Sequence, residues 1–289
     1  MNFESELQPE ESAEEKKLET SKRLLMALES VRLNFSKIEV IGEEYLKEIP
    51  EGAKIVIAVD HLNNLSIPTA ALELGSRLPI QISNQSTQFS FRENPGGNIG
   101  VVAGGKKNFK GIDYDSETDK PKTFNPENFD EMLDPLSEGY AMVVAAHNPV
   151  NNNKLPEKGG YGAAYLASIA DAYVVPVSVN IKSEVHVMEG NAGIINNLKG
   201  AVSMLKNRPE AVISIGKPRK VAEEANIQKF HSLFMKRKES GRLSADELEE
   251  FKRLRASLNS ASNEIMEDIA IMLPEEKKGT WSKGDEIES

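Results

Sequence analysis

Cysteine is absent from the 289 residues of this chain. Its absence excludes disulfide bridges and thiolate metal sites, and it says nothing about the redox compartment. The few histidines are scattered, and none has a second histidine at the His-x-x-x-His spacing typical of zinc sites. They are His61, His147, His186 and His231. We therefore expect neither a metal centre nor a bound cofactor.

Long apolar runs are also missing, and none approaches the roughly 20 residues that a bilayer-spanning helix needs. The N-terminus is acidic and lacks the apolar core of a secretion signal. The net charge is −10, whereas binding the phosphates of a nucleic acid requires a basic surface. We expect a cytoplasmic protein with no transmembrane segment and no nucleic-acid partner.

The composition indicates one large domain with polar ends. Hydrophobic residues make up 39% of the chain, which is enough for a substantial core. Residues 1–20 hold seven acidic residues against two lysines, so this end is typical of a solvated, disordered segment. We predict a disordered tail over 1–16, an α/β domain over 17–281 and a flexible tail over 282–289.

Strand-like and helix-like runs alternate along the domain. The predicted strands are 37–41, 54–59, 80–83, 99–103, 141–146, 173–179 and 211–215, and the predicted helices are 17–35, 68–78, 125–137, 159–170 and two within 222–273. A polar stretch over 104–124 is predicted to be a loop. The alternation favours an α/β fold with a mixed, mostly parallel sheet of about seven strands flanked by helices.

The C-terminal helices are predicted to form a pair that is broken near Gly241. The second helix begins with Ser244-Ala245-Asp246-Glu247, the pattern of a capping box. Basic residues in this pair are interspersed with acids, which favours a helical hairpin over a membrane-binding surface.

His61 is the residue most suggestive of chemistry. It follows directly on the predicted strand over 54–59, whose residues are nearly all apolar. Open α/β sheets place their sites at the carboxyl ends of such buried strands. An imidazole at this place can serve as a general base toward a hydroxyl group. It then requires an acceptor on its other ring nitrogen, and a carboxylate there also stabilises the imidazolium.

Several motifs together resemble the glycerolipid acyltransferases, the family of glycerol-phosphate and lysophospholipid acyltransferases. The stretch from Val59 to Pro68 is similar to the family's first motif, Asn-His-x-Ser-x-x-Asp-Ile-Pro. Later blocks follow in the family's order over about residues 40–281. They are Ile99-Gly100-Val101-Val102, Glu138-Gly139-Tyr140-Ala141, Lys154-Leu155-Pro156, Val174-Val175-Pro176-Val177 and Leu273-Pro274 with Gly279.

The resemblance implies an acyl transfer with His61 as catalytic base. It implies acyl-CoA or an acyl-carrier protein as donor, a glycerol-phosphate or lysophospholipid acceptor, and peripheral contact with the inner membrane face. Ser66 stands where the family has its aspartate, so it would be a weak orienter of His61. Asp60 stands where the family usually has asparagine, and alternation along an extended chain directs its side chain away from that of His61.

The third block departs from the family's Pro-Glu-Gly-Thr-Arg-Ser. His147 replaces its glutamate and Val150 replaces the arginine that receives the acceptor's phosphate, so other groups must bind the acceptor. His147 can be read either as part of a rebuilt polar pocket or as a cap on the following asparagine-rich turn. The candidates for substrate binding are Lys106, His147, Asn148, Lys154, Lys158 and Gly159.

Two further interpretations stay open. The chain can be a catalytically inactive relative that binds lipid, an acyl carrier or a protein partner. It can also be an unrelated nucleotide enzyme, because Gly100 to Lys107 nearly matches the phosphate-binding pattern Gly-x-x-x-x-Gly-Lys-[Ser/Thr]. Lys107 occupies the position that needs a magnesium-binding hydroxyl, which counts against this last interpretation.

Overall fold

A computed structural model of the chain describes residues 35–63, 65–75, 82–84, 114–115, 120–121, 129–137, 139, 141–148, 150, 153–182, 202–203, 206–221 and 224–282. Several predicted features lie outside the described residues. They are the tail over 1–16, nearly all of the first helix, the strand over 99–103 and Lys106. The same holds for the Gly100–Lys107 pattern and for residues 283–289.

Six strands form one mixed sheet in the order β1-β8-β7-β2-β6-β3. The pairing of β7 with β8 is antiparallel and the other neighbouring pairs are parallel. The strands are β1 (Lys37–Ile41), β2 (Ile55–Val59), β3 (Ile82–Asn84), β6 (Ala141–Ala145), β7 (Tyr173–Lys182) and β8 (Glu210–Ile215). A separate antiparallel pair, β4 (Tyr114–Asp115) and β5 (Lys120–Pro121), lies within the segment predicted as a loop.

Within the described ranges, five α-helices with defined bounds accompany the strands. They are α1 (Ser66–Gly75), α2 (Asp130–Ser137), α3 (Tyr161–Ile169), α4 (Glu224–Ser240) and α5 (Ala245–Ile271). Short 3-10 turns occupy Glu43–Glu48, Glu275–Lys277 and Gly279–Trp281. The predicted α/β class, the mostly parallel sheet and the C-terminal helical pair are confirmed. Six of the seven predicted strands form the sheet, and the seventh is the one outside the described residues.

Helices cover both faces of the central strand β2. Its residues Val56 and Ala58 belong to a core that includes residues of α3, α4 and α5, whereas Ile57 and Val59 face a second core that includes residues of α1. The chain leaves β2 through α1 on one face and leaves β6 through α3 on the other. This change of side makes the carboxyl ends of β2 and β6 a topological switch point, and doubly wound sheets bind ligands beyond such a point.

The C-terminal helices form a charged hairpin. Lys229 of α4 pairs with Glu250 of α5 at 2.8 Å, and Lys236 pairs with Glu247. The predicted capping box is confirmed: the Ser244 hydroxyl accepts from the Glu247 N–H, and the Glu247 carboxylate accepts from the Ser244 N–H. These two ion pairs join the helices of the hairpin.

The core beneath α5 provides a stability test. Leu258 is fully buried among residues of α3 and α4, so Leu258→Ala should lower the free energy of unfolding by about 2–5 kcal/mol. The exposed neighbour Ser257 provides the matched control, since alanine is a good helix former and Ser257→Ala should cost nothing. Urea unfolding of both variants measures the difference. Equal effects would contradict the packing described for α5.

Candidate functional site

The site begins at the ends of β2 and β6, which are adjacent and parallel. Val59 lies opposite Ala145 in the register of the two strands, so the residues that follow them emerge side by side. Those residues include His61 after β2 and His147 after β6. The structure thus brings together two histidines that are 86 positions apart in the sequence.

The contact between these histidines runs from main chain to side chain. The N–H of His61 donates to Nε2 of His147 at 3.0 Å. On its other side, Nδ1 of His147 lies 2.7 Å from the carbonyl oxygen of Asn148. A carbonyl oxygen can only accept, so Nδ1 carries the proton and Nε2 is the acceptor. Both ring nitrogens of His147 are therefore bonded within the protein.

His147 is also sealed from solvent, with 2% of its surface exposed. Burial lowers the pKa of its imidazole to about 4, although the bond to Asn148 acts in the opposite direction. The prediction that His147 binds substrate therefore finds no free ring nitrogen in the structure. The alternative prediction, a cap on the turn that follows, matches the bond to the Asn148 carbonyl.

Asp60 is the most heavily bonded acceptor described at this edge of the sheet. One carboxylate oxygen accepts from the Leu62 N–H at 3.2 Å and from the Ser66 hydroxyl at 2.9 Å. The other accepts from the Val179 N–H of β7. Asp60 is fully buried, and burial raises its pKa to about 6, opposed by these three bonds and by the charge of Lys277.

The hydroxyl of Ser66 is directed to Asp60, which differs from its predicted role as orienter of His61. Meanwhile Nδ1 of His61 is buried, and among the described residues it has no hydrogen-bond partner. Burial and, second, the neighbouring His147 lower the pKa of His61 to about 3. The imidazole is therefore neutral at neutral pH, and no described residue accepts a hydrogen bond from Nδ1, the nitrogen that an orienting carboxylate would contact.

Two of the three lysines predicted to bind the acceptor lie between β6 and α3, and the third, Lys106, is outside the described residues. Lys154 and Lys158 are both exposed, and so is Asn148. This segment reaches the edge of the sheet at which β2 and β6 end, here called the rim, since the Gly160 N–H donates to the Ala146 carbonyl at 2.7 Å. Val150, at the family's arginine position, is a hydrophobic side chain packed against the core.

Gly159, a predicted substrate-binding residue, packs closely against α5. A Cβ built on it would lie 2.7 Å from the carbonyl oxygen of Ser262 and 2.8 Å from the Met266 side chain, both on α5. Only a hydrogen atom fits in that space, so this glycine brings the segment against α5.

Lys277 is a residue of the rim that the sequence analysis missed. Its ammonium donates to the side-chain oxygen of Asn180 at 2.6 Å and to the Ile181 carbonyl at 3.3 Å, both on β7. Its own carbonyl accepts from the Leu155 N–H at 2.9 Å. The available signal was the Leu-Pro-x-x-x-x-Gly pattern, within which Lys277 lies.

Two fully buried hydroxyls near these elements, those of Thr69 and Ser178, have no hydrogen-bond partner among the described residues. Within the same part of the chain, no cluster of three histidine, aspartate or glutamate side chains could hold a metal ion. None of the described helices combines the length and the apolar character needed to cross a bilayer.

The buried state of His147 predicts a pH dependence of stability. Its folded pKa of about 4 lies below the ordinary value of 6.5, so between these values the unfolded chain binds a proton that the folded chain does not. The stability that neutral His147 contributes is full above pH 6.5 and is lost as the pH falls toward 4. His147→Gln should reduce the slope of the unfolding free energy over this range by about 1 kcal/mol per pH unit.

Denaturant unfolding at a series of pH values measures this slope in both proteins. Asp60 has a raised pKa and contributes a slope of opposite sign between about 4 and 6, whereas buried His61 contributes a slope of the same sign as His147. Both residues are present in the two proteins, so their contributions largely cancel in the difference, apart from the part of the His61 shift that comes from His147. Identical slopes would mean that His147 titrates normally in the folded chain.

Comparison with known proteins shows a likeness to a solved structure. No family model matches the chain, and no curated protein matches it. Among solved structures, it is similar to the 1-acyl-sn-glycerophosphate (LPA) acyltransferase PlsC from Thermotoga maritima, with 13% identity and a TM-score of 0.41. The match covers 89% of this chain and 83% of that one. At this identity and TM-score the likeness carries no conclusion about activity or substrate.

Proposed function

We propose that this chain transfers an acyl group from a thioester donor to a hydroxyl group, with His61 as general base. The donor is acyl-CoA or an acyl-carrier protein, and the acceptor is of the glycerol-phosphate or lysophospholipid type. The observation that carries the proposal is the placement of His61 directly after β2, next to the end of β6, with its main chain bonded to His147. The order of the acyltransferase-like motifs along the sequence supplies the reaction class.

The chemistry requires one base that also returns the proton. Neutral His61 takes the proton of the acceptor hydroxyl while the oxygen attacks the thioester carbonyl. The tetrahedral intermediate then collapses, the carbon–sulfur bond breaks, and the imidazolium gives its proton to the departing thiolate. The products are an ester and the free thiol, and the base is regenerated.

We infer that side chains supply the charge stabilisation. The N–H groups of His61 and Leu62 are both used inside the protein, so neither is free for a phosphate or an oxyanion. Lys154 and Lys158 are exposed beside the rim and are our candidates for the acceptor's phosphate, together with Lys106. Since the substrates are lipids or their precursors, the proposal includes peripheral contact of a cytoplasmic protein with the inner membrane face.

A second candidate function is binding of lipid or acyl carrier without turnover. It is favoured by Nδ1 of His61, which is buried without a partner among the described residues, and by the lowered pKa of that imidazole. A base with a pKa of about 3 has little tendency to take up a proton. If this function is correct, this edge of the sheet retains the shape of an acyltransferase site without its basicity.

Removing the base separates the two functions. His61→Ala and the more conservative His61→Gln should each lower turnover by about 10²–10⁴-fold, because neither side chain can accept a proton at neutral pH. The assay measures thiol release from acyl-CoA and acyl-carrier protein with lysophospholipids and glycerol phosphate. Thermal melting confirms that both variants fold.

Thiol release that is equal in wild type and both variants would overturn the role of His61. No turnover in wild type, together with binding of acyl-CoA or of lysolipid vesicles, would replace the first function by the second.

The bond between Asp60 and Ser66 makes a prediction about the missing acid. Ser66→Asp alone places two carboxylates about 3 Å apart, which then share a proton, so it should not accelerate the reaction. The double variant Asp60→Asn/Ser66→Asp puts an amide donor opposite the new carboxylate, but the Leu62 N–H then loses the acceptor that it shares with Ser66, at a cost of about 1–3 kcal/mol of stability. If the ionised carboxylate at position 66 orients His61, the double variant should exceed wild type by about 10-fold or more despite this cost.

The same thiol-release assay compares wild type, both single variants and the double variant, with Asp60→Asn as the matched control. A double variant no faster than wild type would show that the missing acid does not limit the rate.

A further inference from the structure

We propose that His147 is a positioning residue, which fixes the main chain of His61 and does not touch substrate. The inference rests on the proposed function for its catalytic consequence, while its structural part can be tested in a protein without turnover. It concerns the residue that replaces the family's glutamate in the third motif.

The first step is that His147 has no capacity left for a ligand. A neutral imidazole offers one donor and one acceptor. The donor at Nδ1 is used by the Asn148 carbonyl at 2.7 Å, and the acceptor at Nε2 by the His61 N–H at 3.0 Å. Because the side chain is also buried, a substrate atom could reach it only by displacing one of these bonds.

The bond from the His61 N–H to His147 fixes a turn of the main chain. Residues 60 to 62 form a tight turn, because the Asp60 carboxylate accepts the N–H of Leu62, two positions further along. Asp60 also holds this turn to β7 through the Val179 N–H, and His147 holds it to the end of β6. His61 is thereby held from both neighbouring strands, on either side of β2.

A fixed main chain determines the direction of the imidazole that acts as base. The imidazole of His61 has no bond at Nδ1 to the described residues, so its direction depends on the backbone that carries it. A displacement of about 1 Å in a reacting group can cost about 10²-fold in rate. Loss of the His147 bond should therefore lower kcat and leave KM nearly unchanged, since no substrate contact is removed.

Two substitutions each keep one hydrogen bond of His147 and remove the other. Nε2 lies three bonds from Cβ, as does the amide oxygen of glutamine, so His147→Gln can still accept from the His61 N–H. Nδ1 lies two bonds from Cβ, as does the amide nitrogen of asparagine. His147→Asn can therefore still donate to the Asn148 carbonyl, but it loses the hydrogen bond from the His61 N–H. A role confined to capping the turn predicts that asparagine is the better replacement, whereas positioning of His61 predicts glutamine.

The first readout is independent of activity. Amide hydrogen exchange at His61, followed by NMR, should be close to wild type in His147→Gln. In His147→Asn it should be about 10-fold faster, the equivalent of one lost hydrogen bond. In the wild type, the ¹⁵N shifts of His147 should show a protonated Nδ1 and an unprotonated Nε2.

The second readout is kinetic. In His147→Asn, kcat should fall by about 10–100-fold with KM within about 3-fold of wild type, and His147→Gln should retain most of kcat. Protonation of Nε2 in wild type, or His61 exchange that is equally fast in both variants, would overturn the proposal. A rise in KM without loss of kcat would assign His147 to substrate binding instead.

Failure of the proposed function has a different signature. It would appear as absent turnover in wild type, while the exchange of the His61 amide would still decide whether His147 holds it.

Discussion

The buried carboxylate of Asp60 joins the parts of the chain that form the site. It accepts hydrogen bonds from its own turn, from the first residue of α1 and from β7. Without it, three buried donors would lose their partner, at a cost of about 1–3 kcal/mol each. Burial opposes ionisation and raises the pKa of Asp60, and the ammonium of Lys277 on the C-terminal segment acts against that rise. The backbone where β2 ends therefore depends on the buried Asp60 carboxylate, which these three donors stabilise.

This arrangement separates the position of an imidazole from its basicity. The main chain is bonded at two successive residues, because the His61 N–H donates to His147 and the Leu62 N–H donates to Asp60. The imidazole of His61 receives no comparable support, because Nδ1 is buried without a partner among the described residues. Desolvation and, second, His147 lower the pKa of His61. A well-bonded backbone therefore carries a ring of low basicity.

Much of the fold could be predicted because its strongest signals are local. The apolar run of β2 and the serine and glutamate that cap α5 each specify their element without reference to distant residues. The position of His61 at the rim follows from the same local pattern. The weaker signals of β4 and β5, each two residues long, could not be distinguished from a loop.

The contacts of the site could not be predicted in the same way. Alternation indicates that Asp60 points away from His61, but it does not reveal that Val179, 119 positions later, donates to it. Likewise, the sequence places a histidine after β6 without saying that its ring accepts from the backbone of His61. These are properties of strand neighbours, and they appear only once the order β7-β2-β6 is known.

Positions 60 and 66 are coupled rather than independent. Ser66 donates to Asp60 at 2.9 Å, so a carboxylate at position 66 would face another carboxylate unless position 60 also changed. With aspartate at 60, a hydroxyl donor at 66 is the compatible partner, because the same carboxylate oxygen also accepts from the Leu62 N–H. The carboxylate of Asp60 therefore bonds to the backbone where the strands end and to α1. The weak basicity of His61 has a separate cause, which is the burial of its ring beside His147.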